Sequence, residues 1–189
     1  LAGRPLITYS LELALSMPEF DGVFVSTDDS EVARIADDMG MQDRPLISRT
    51  MFQRYIKPRL KRLVDMAHSH GVKAMFHSCG CIKPFIDDLI EIGVDVLDPL
   101  QALASGMEPE NLKRTYGKRI CLHGGVDTQY LLPRGRPDEV RAEVRRLLDI
   151  LGRGGGYILA PCHVVQNDVP IANVEAMYAA AREPWVQGG

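Results

Sequence analysis

An α/β fold of parallel strands with covering helices is what this 189-residue sequence predicts, and two observations carry the prediction. From about residue 50 onward, segments with apolar residues at steps of three and four alternate with short apolar runs, the order that parallel βαβ units require. Each strand-like run also closes on reactive or polar side chains: His77 and Cys79, Asp98 and Gln101, His123 and Asp127, Cys162 and His163. In (β/α) barrels the active site is assembled from such strand ends. The competing reading is that polar residues cap strands where backbone turns to solvent.

In chain order, "PLITYSLELALSM" reads as a helix, "DGVFVSTD" as a strand and "DSEVARIADDMG" as a helix with Ser30 as N-cap. "MFQRYIKPRLKRLVDMAHSH" places Phe52, Ile56, Leu60, Leu63 and Ala67 on one apolar face, and Gly71 stops that helix. "VKAMFHSC" follows as a strand, "IKPFIDDLIEIG" as a helix ending at Gly93, and "VDVLDPLQ" as a strand. The unit repeats with "PENLKRTYG" as a short helix, "KRICLHGG" as a strand and "RPDEVRAEVRRLLDILG" as an amphipathic helix. "GYILAPCH" then reads as a strand and "IANVEAMYAAARE" as the last helix.

Composition narrows the partners. Twenty-two basic and 25 acidic residues give a formal net charge of -3, and no basic stripe advertises nucleic acid. No apolar run approaches the roughly 20 residues needed to cross a bilayer, and no signal-peptide layout is visible, so a cytoplasmic protein without a membrane partner is expected. The four cysteines are then thiols or metal ligands rather than a disulfide framework.

The stretch "HSCGC", residues 77 to 81, reads from its residues alone as a metal site, a redox site or the end of a buried strand. Residues i and i+2 of a strand face one side, which lets His77 and Cys79 point together. Cys81 reads as an incidental loop thiol and Cys121 as a small core hydrophobe. "GRGGGYILA" enters a strand rather than a helix, which makes it a tight turn and not a phosphate loop. His68 and His70 close a helix, where positive charge suits the dipole.

Two resemblances divide the chain near "IADDMG". Residues 1–36, through "GRPLI", "VSTDD" and "ARIA", resemble acylneuraminate cytidylyltransferases, although that family's nucleotide loop and most of its sugar-acid residues have no counterpart here. Only Asp28 and Asp29 remain as polar residues after a strand. Residues 37–189 resemble the uroporphyrinogen decarboxylase superfamily through "HSCG", "IDDLIEIGVDVLDPLQ", "HGGVDTQ" and "GGGYILAPCHVVQNDVPIANVEAMY". This second resemblance implies the C-terminal half of a (β/α)8 TIM-type barrel, preceded by a short α/β segment. Complete barrels need about 250 residues, so an open sheet edge and self-association into a homo-oligomer are expected.

The "HSCG" motif is similar to that of the branch containing methylcobalamin:coenzyme M methyltransferases and corrinoid-dependent demethylases. That resemblance implies Zn2+ held by His77, Cys79 and Cys162, with methyl transfer between a corrinoid such as methylcobalamin, free or on a partner protein, and a thiol or other acceptor. A site with three protein ligands and one open position suits that chemistry, and imidazole with thiolates selects zinc over hard cations. Asp98, Gln101 and His123 are the substrate-binding candidates, and His163 and Asp127 the catalytic ones. The alternatives are a metal-free uroporphyrinogen decarboxylase, for which His163 matches the histidine that follows the last strand, and a chimeric fragment with no activity of its own.

Overall fold

The computed structural model describes residues 32–36 and 38–184. The helix over "PLITYSLELALSM", the strand "DGVFVSTD", the Ser30 cap and the Asp28–Asp29 pair lie outside the described residues. The chain divides into two compact units between Leu97 and Asp98.

The first unit corrects one expectation. Val32–Ala36, read from sequence as part of a helix, is strand β1, and it pairs in parallel with β2, Lys73–His77, from Val32 opposite Lys73 to Ala36 opposite His77. The spacing of Val32, Ile35 and Met39 suits a helix, but "VARIA" is also the short, nearly continuous apolar run of a parallel strand. The ladder with β2 decides between them. A continuous helical run follows: α1 (Arg49–Met51), a π-helical turn (Phe52–Ile56) and α2 (Lys57–Ser69).

Ser48 caps this run by accepting from Met51 N at 3.2 Å. Pro58 has no N–H to give to the preceding turn, and the helix widens immediately before it, with Lys57 N–H reaching back to Phe52 O. Phe52, Leu60, Leu63 and Ala67 of the expected face are buried, while Ile56 is half-buried. Phe52 stacks on Phe85 with ring centroids 4.5 Å apart. The chain passes through a 3-10 turn (Lys83–Phe85) into α3 (Ile86–Glu91) and then the start of β3 (Val96–Leu100). Asp95 bonds the register of β2 to that of β3: its N–H donates to Ala74 O and its carboxylate accepts from Ala74 N, each at 2.9 Å. The same carboxylate takes His68 Nε2 at 2.7 Å, giving that helix-end histidine a structural partner. Strand order in this unit is β1-β2-β3.

The second unit contains the end of β3, α4 (Pro109–Tyr116), β4 (Cys121–Val126), a short α5 (Leu131–Arg134), α6 (Pro137–Leu147) with a π-helical turn (Leu148–Gly152), β5 (Tyr157–Pro161) and α7 (Ile171–Arg182). Its strand order is β3-β4-β5, and β4 and β5 run parallel from Leu122 opposite Tyr157 to Val126 opposite Pro161. Leu112, Leu122, Val140, Val144, Leu147, Leu151 and Met177 form its core. Buried Asn173 of α7 donates to the Leu132 and Gly135 carbonyls, each at 2.8 Å, and so ties down the end of α5. Among the described residues no helix is long and apolar enough to cross a membrane.

Candidate metal centre and strand-end residues

The parallel register of β1 and β2 dictates what stands beside "HSCGC". Ala36 lies opposite His77, so the chain leaving β1 runs alongside the chain leaving β2, and Asp38 arrives level with Cys79. The two exits are bonded together. Met39 N donates to Ser78 Oγ at 2.8 Å, Cys81 N to Met41 O at 2.7 Å, and Cys79 N to Asp38 Oδ1 at 2.8 Å.

Asp38, His77 and Cys79 thereby form one cluster, with one donor atom from each lying within 4.8 Å of the others. His77 Nε2 is 3.7 Å from Cys79 Sγ and 3.7 Å from Asp38 Oδ1. Zinc bonds of about 2.0–2.3 Å at tetrahedral angles put their donors roughly 3.3–3.8 Å apart, and the two separations from His77 Nε2 fall in that range. β2 ends at His77, and burial keeps alternating past it, with Ser78 buried between half-buried His77 and Cys79.

Asp38 carries no signal in the sequence as long as "DSEVARIADDMG" reads as a helix. Once Val32–Ala36 is recognised as a strand, the rule that chemistry gathers at C-terminal strand ends points to Asp38 directly. Cys81 is buried, and its backbone N–H joins the loop to Met41 O.

In the second unit Asp98, on β3, and His123, on β4, meet at 2.7 Å between Oδ1 and Nδ1. Gln101 is buried one residue beyond β3. Cys162 follows β5; its N–H donates to Val126 O at 2.8 Å and its thiol to Leu100 O at 3.1 Å. Burial pushes that thiol up to about 11. Asp127 accepts from the backbone N–H of Gln129, Tyr130 and Leu131 at 2.8–2.9 Å and so shapes the entry to α5. His163 is exposed. Cys121, expected in the core, is the half-buried first residue of β4, its thiol raised by burial against the opposing influence of Lys113.

The sequence pattern of the uroporphyrinogen decarboxylase (URO-D) family matches residues 27–184. The chain belongs to that family. Among its relatives is a methylcobamide:CoM methyltransferase MtaA of Methanosarcina barkeri, 27% identical over 154 residues, which cover 82% of this chain and 42% of the relative. A uroporphyrinogen decarboxylase of Methylococcus capsulatus is 35% identical over 71 residues, 38% of this chain and 20% of that protein. Among solved structures, a methyltransferase from Methanosarcina mazei superposes with a TM-score of 0.65 at 25% identity, over 81% of this chain and 42% of that one. The chain thus spans less than half the length of the methyltransferases it matches, and its parallel strands and covering helices fit part of a barrel.

Proposed function

We propose that this chain carries the metal-binding portion of a zinc-dependent methyltransferase that moves a methyl group between a corrinoid, free or on a partner protein, and a thiol or other acceptor. The observation that carries this reading is the convergence of His77 Nε2, Cys79 Sγ and an Asp38 oxygen at the end of β2, in a chain related to methyltransferases named for methylcobamide and CoM. His77, Cys79 and Cys162 are the residues that would hold zinc. When bound, zinc lowers the pKa of a thiol or water at its open position and makes it a nucleophile near neutral pH. Asp98 fixes the His123 ring through Nδ1, and His123 and Gln101 would meet substrate. Exposed His163 would exchange protons with solvent, and Asp127 would hold the β4 exit in shape.

The test is zinc content. Purified chain is expected to carry one zinc, weakened by Cys162→Ser with the circular dichroism spectrum retained; a chain without stoichiometric zinc would sink the methyltransferase reading. It would favour metal-free porphyrin decarboxylation, the second reading, which the 35% identity to a uroporphyrinogen decarboxylase supports.

The likeness of residues 1–36 to cytidylyltransferases belongs to the same proposal as a junction near "IADDMG", inside a stretch that the family match already covers from residue 27. Reading the source gene without interruption across residues 25–50 tests it: two separate genes there would establish an artefact of assembly.

A further inference from the structure

We propose that Asp38 is itself a metal ligand, so that Asp38, His77 and Cys79 bind a divalent cation without Cys162; the inference rests on the zinc reading above. Two independent features carry it. The three donor atoms lie within 4.8 Å of one another, all in the first unit. The carboxylate is also delivered by a built structure: parallel β1 and β2 set its level, and three hydrogen bonds, from Met39 N, Cys79 N and Cys81 N, fasten its segment to the "HSCGC" loop. Asp38 is more than half exposed, with a side-chain exposure of 60%, so its carboxylate is reachable by an ion from solvent. An anionic oxygen beside imidazole and thiolate gives a mixed set of three donors that leaves a coordination position open.

The experiment titrates zinc, and cobalt(II) as its spectroscopic substitute, into the full-length chain and the variants Cys162→Ser, Asp38→Asn and Cys162→Ser/Asp38→Asn. Each variant is checked for native circular dichroism. Asparagine keeps an oxygen that accepts the Cys79 N–H but loses the carboxylate charge, which separates a ligand from a residue that only orients the loop. Loss of an orienting partner lowers metal affinity by about 10–100-fold. The expected result is that Cys162→Ser still binds one cobalt(II) with a thiolate charge-transfer band, that Asp38→Asn loses more than that range, and that the double variant binds none. Asp38→Asn with wild-type affinity and an unchanged cobalt spectrum would overturn the role of Asp38 while leaving the zinc reading standing. Complete loss of metal on Cys162→Ser alone would overturn the sufficiency of the three residues. Absence of metal from the wild-type chain would overturn both readings together.

Discussion

Gly40 and Gly80 meet backbone to backbone at the exits of β1 and β2. A Cβ on Gly80 would stand 2.6 Å from the Gly40 carbonyl carbon and 2.6 Å from Met41 O, and one on Gly40 would stand 2.5 Å from Cys79 O. No flexible side-chain end takes up these contacts, and Gly80 also has φ +79, where an L side chain is strained. This packing holds Asp38 against His77 and Cys79. Gly80→Ala is expected to destabilise the protein by about 2–4 kcal/mol, the sum of left-handed strain and displaced backbone, and to weaken zinc binding at least tenfold. Urea denaturation and a zinc titration measure the two effects, and a variant with unchanged metal affinity would show that the clamp does not position the cluster.

The Asp98–His123 bond of 2.7 Å sets a second expectation. Asp98 is 7% exposed at its side chain and His123 24%, so truncation leaves a largely buried ring nitrogen short of its acceptor. Asp98→Ala is expected to cost about 1–3 kcal/mol. Asp98→Asn keeps a side-chain oxygen within reach of Nδ1–H and should cost less. Thermal denaturation of both variants decides the matter, and equal losses would show that packing rather than the hydrogen bond matters at this position.

These two sites show how far the sequence could be read. The helix over residues 49–69, β2, β4, β5 and the last helix all follow from apolar period and glycine stops, because each element's burial is written in its own residues. β1 is different. "VARIA" satisfies both periods, and what selects the strand is a partner some 40 residues away in β2. Asp38 was lost with it, since its place in the cluster depends on the register of β1 and not on any spacing within "HSCGC". The histidine and cysteine of that motif are legible as a pair, since burial alternates from His77 through Ser78 to Cys79. Asp127 stood out as a reactive strand-end residue, yet three backbone N–H groups engage its carboxylate, and sequence alone does not separate turn-forming aspartates from catalytic ones.

The glycine-rich turn before β5 is held by a lysine from α4. Lys113 Nζ donates to Leu151 O and Gly155 O, each at 2.6 Å, and burial lowers the pKa of the ammonium. That anchorage agrees with the expectation of a tight turn at "GRGGG". Lys113→Met keeps much of the apolar stem and removes both charge-assisted bonds, so a loss of about 1.5–3 kcal/mol is expected. Hydrogen exchange should locate the loosening in residues 148–157. Unchanged protection there would mean that solvent serves the two carbonyls as well as Lys113 does.

Acid stability should report on Asp88. This carboxylate, 1% exposed in α3, receives Arg49 Nε at 2.7 Å, Lys57 Nζ at 2.8 Å and Gln53 Nε2 at 2.9 Å. The three donors stand four residues apart on the helical run, so one face supplies them all. Burial by itself would raise the Asp88 pKa, but the hydrogen bonds from Lys57, Gln53 and Arg49 outweigh it and hold the group down at about 2, against 3.8 for the free side chain. A depressed folded-state value means that the ionised form is favoured by folding. The stabilisation is therefore complete above pH 3.8 and is lost as pH falls from there towards 2. Its size is on the order of 2 kcal/mol. Asp88→Asn leaves Lys57 facing an amide in place of its buried counter-charge and removes this titration. Urea midpoints measured between pH 6 and pH 2 should thus fall more steeply for the wild type than for Asp88→Asn, with the gap between the two narrowing as Asp88 protonates. Parallel curves over that range would show that this pair of helices does not draw its stability from the Asp88 charge.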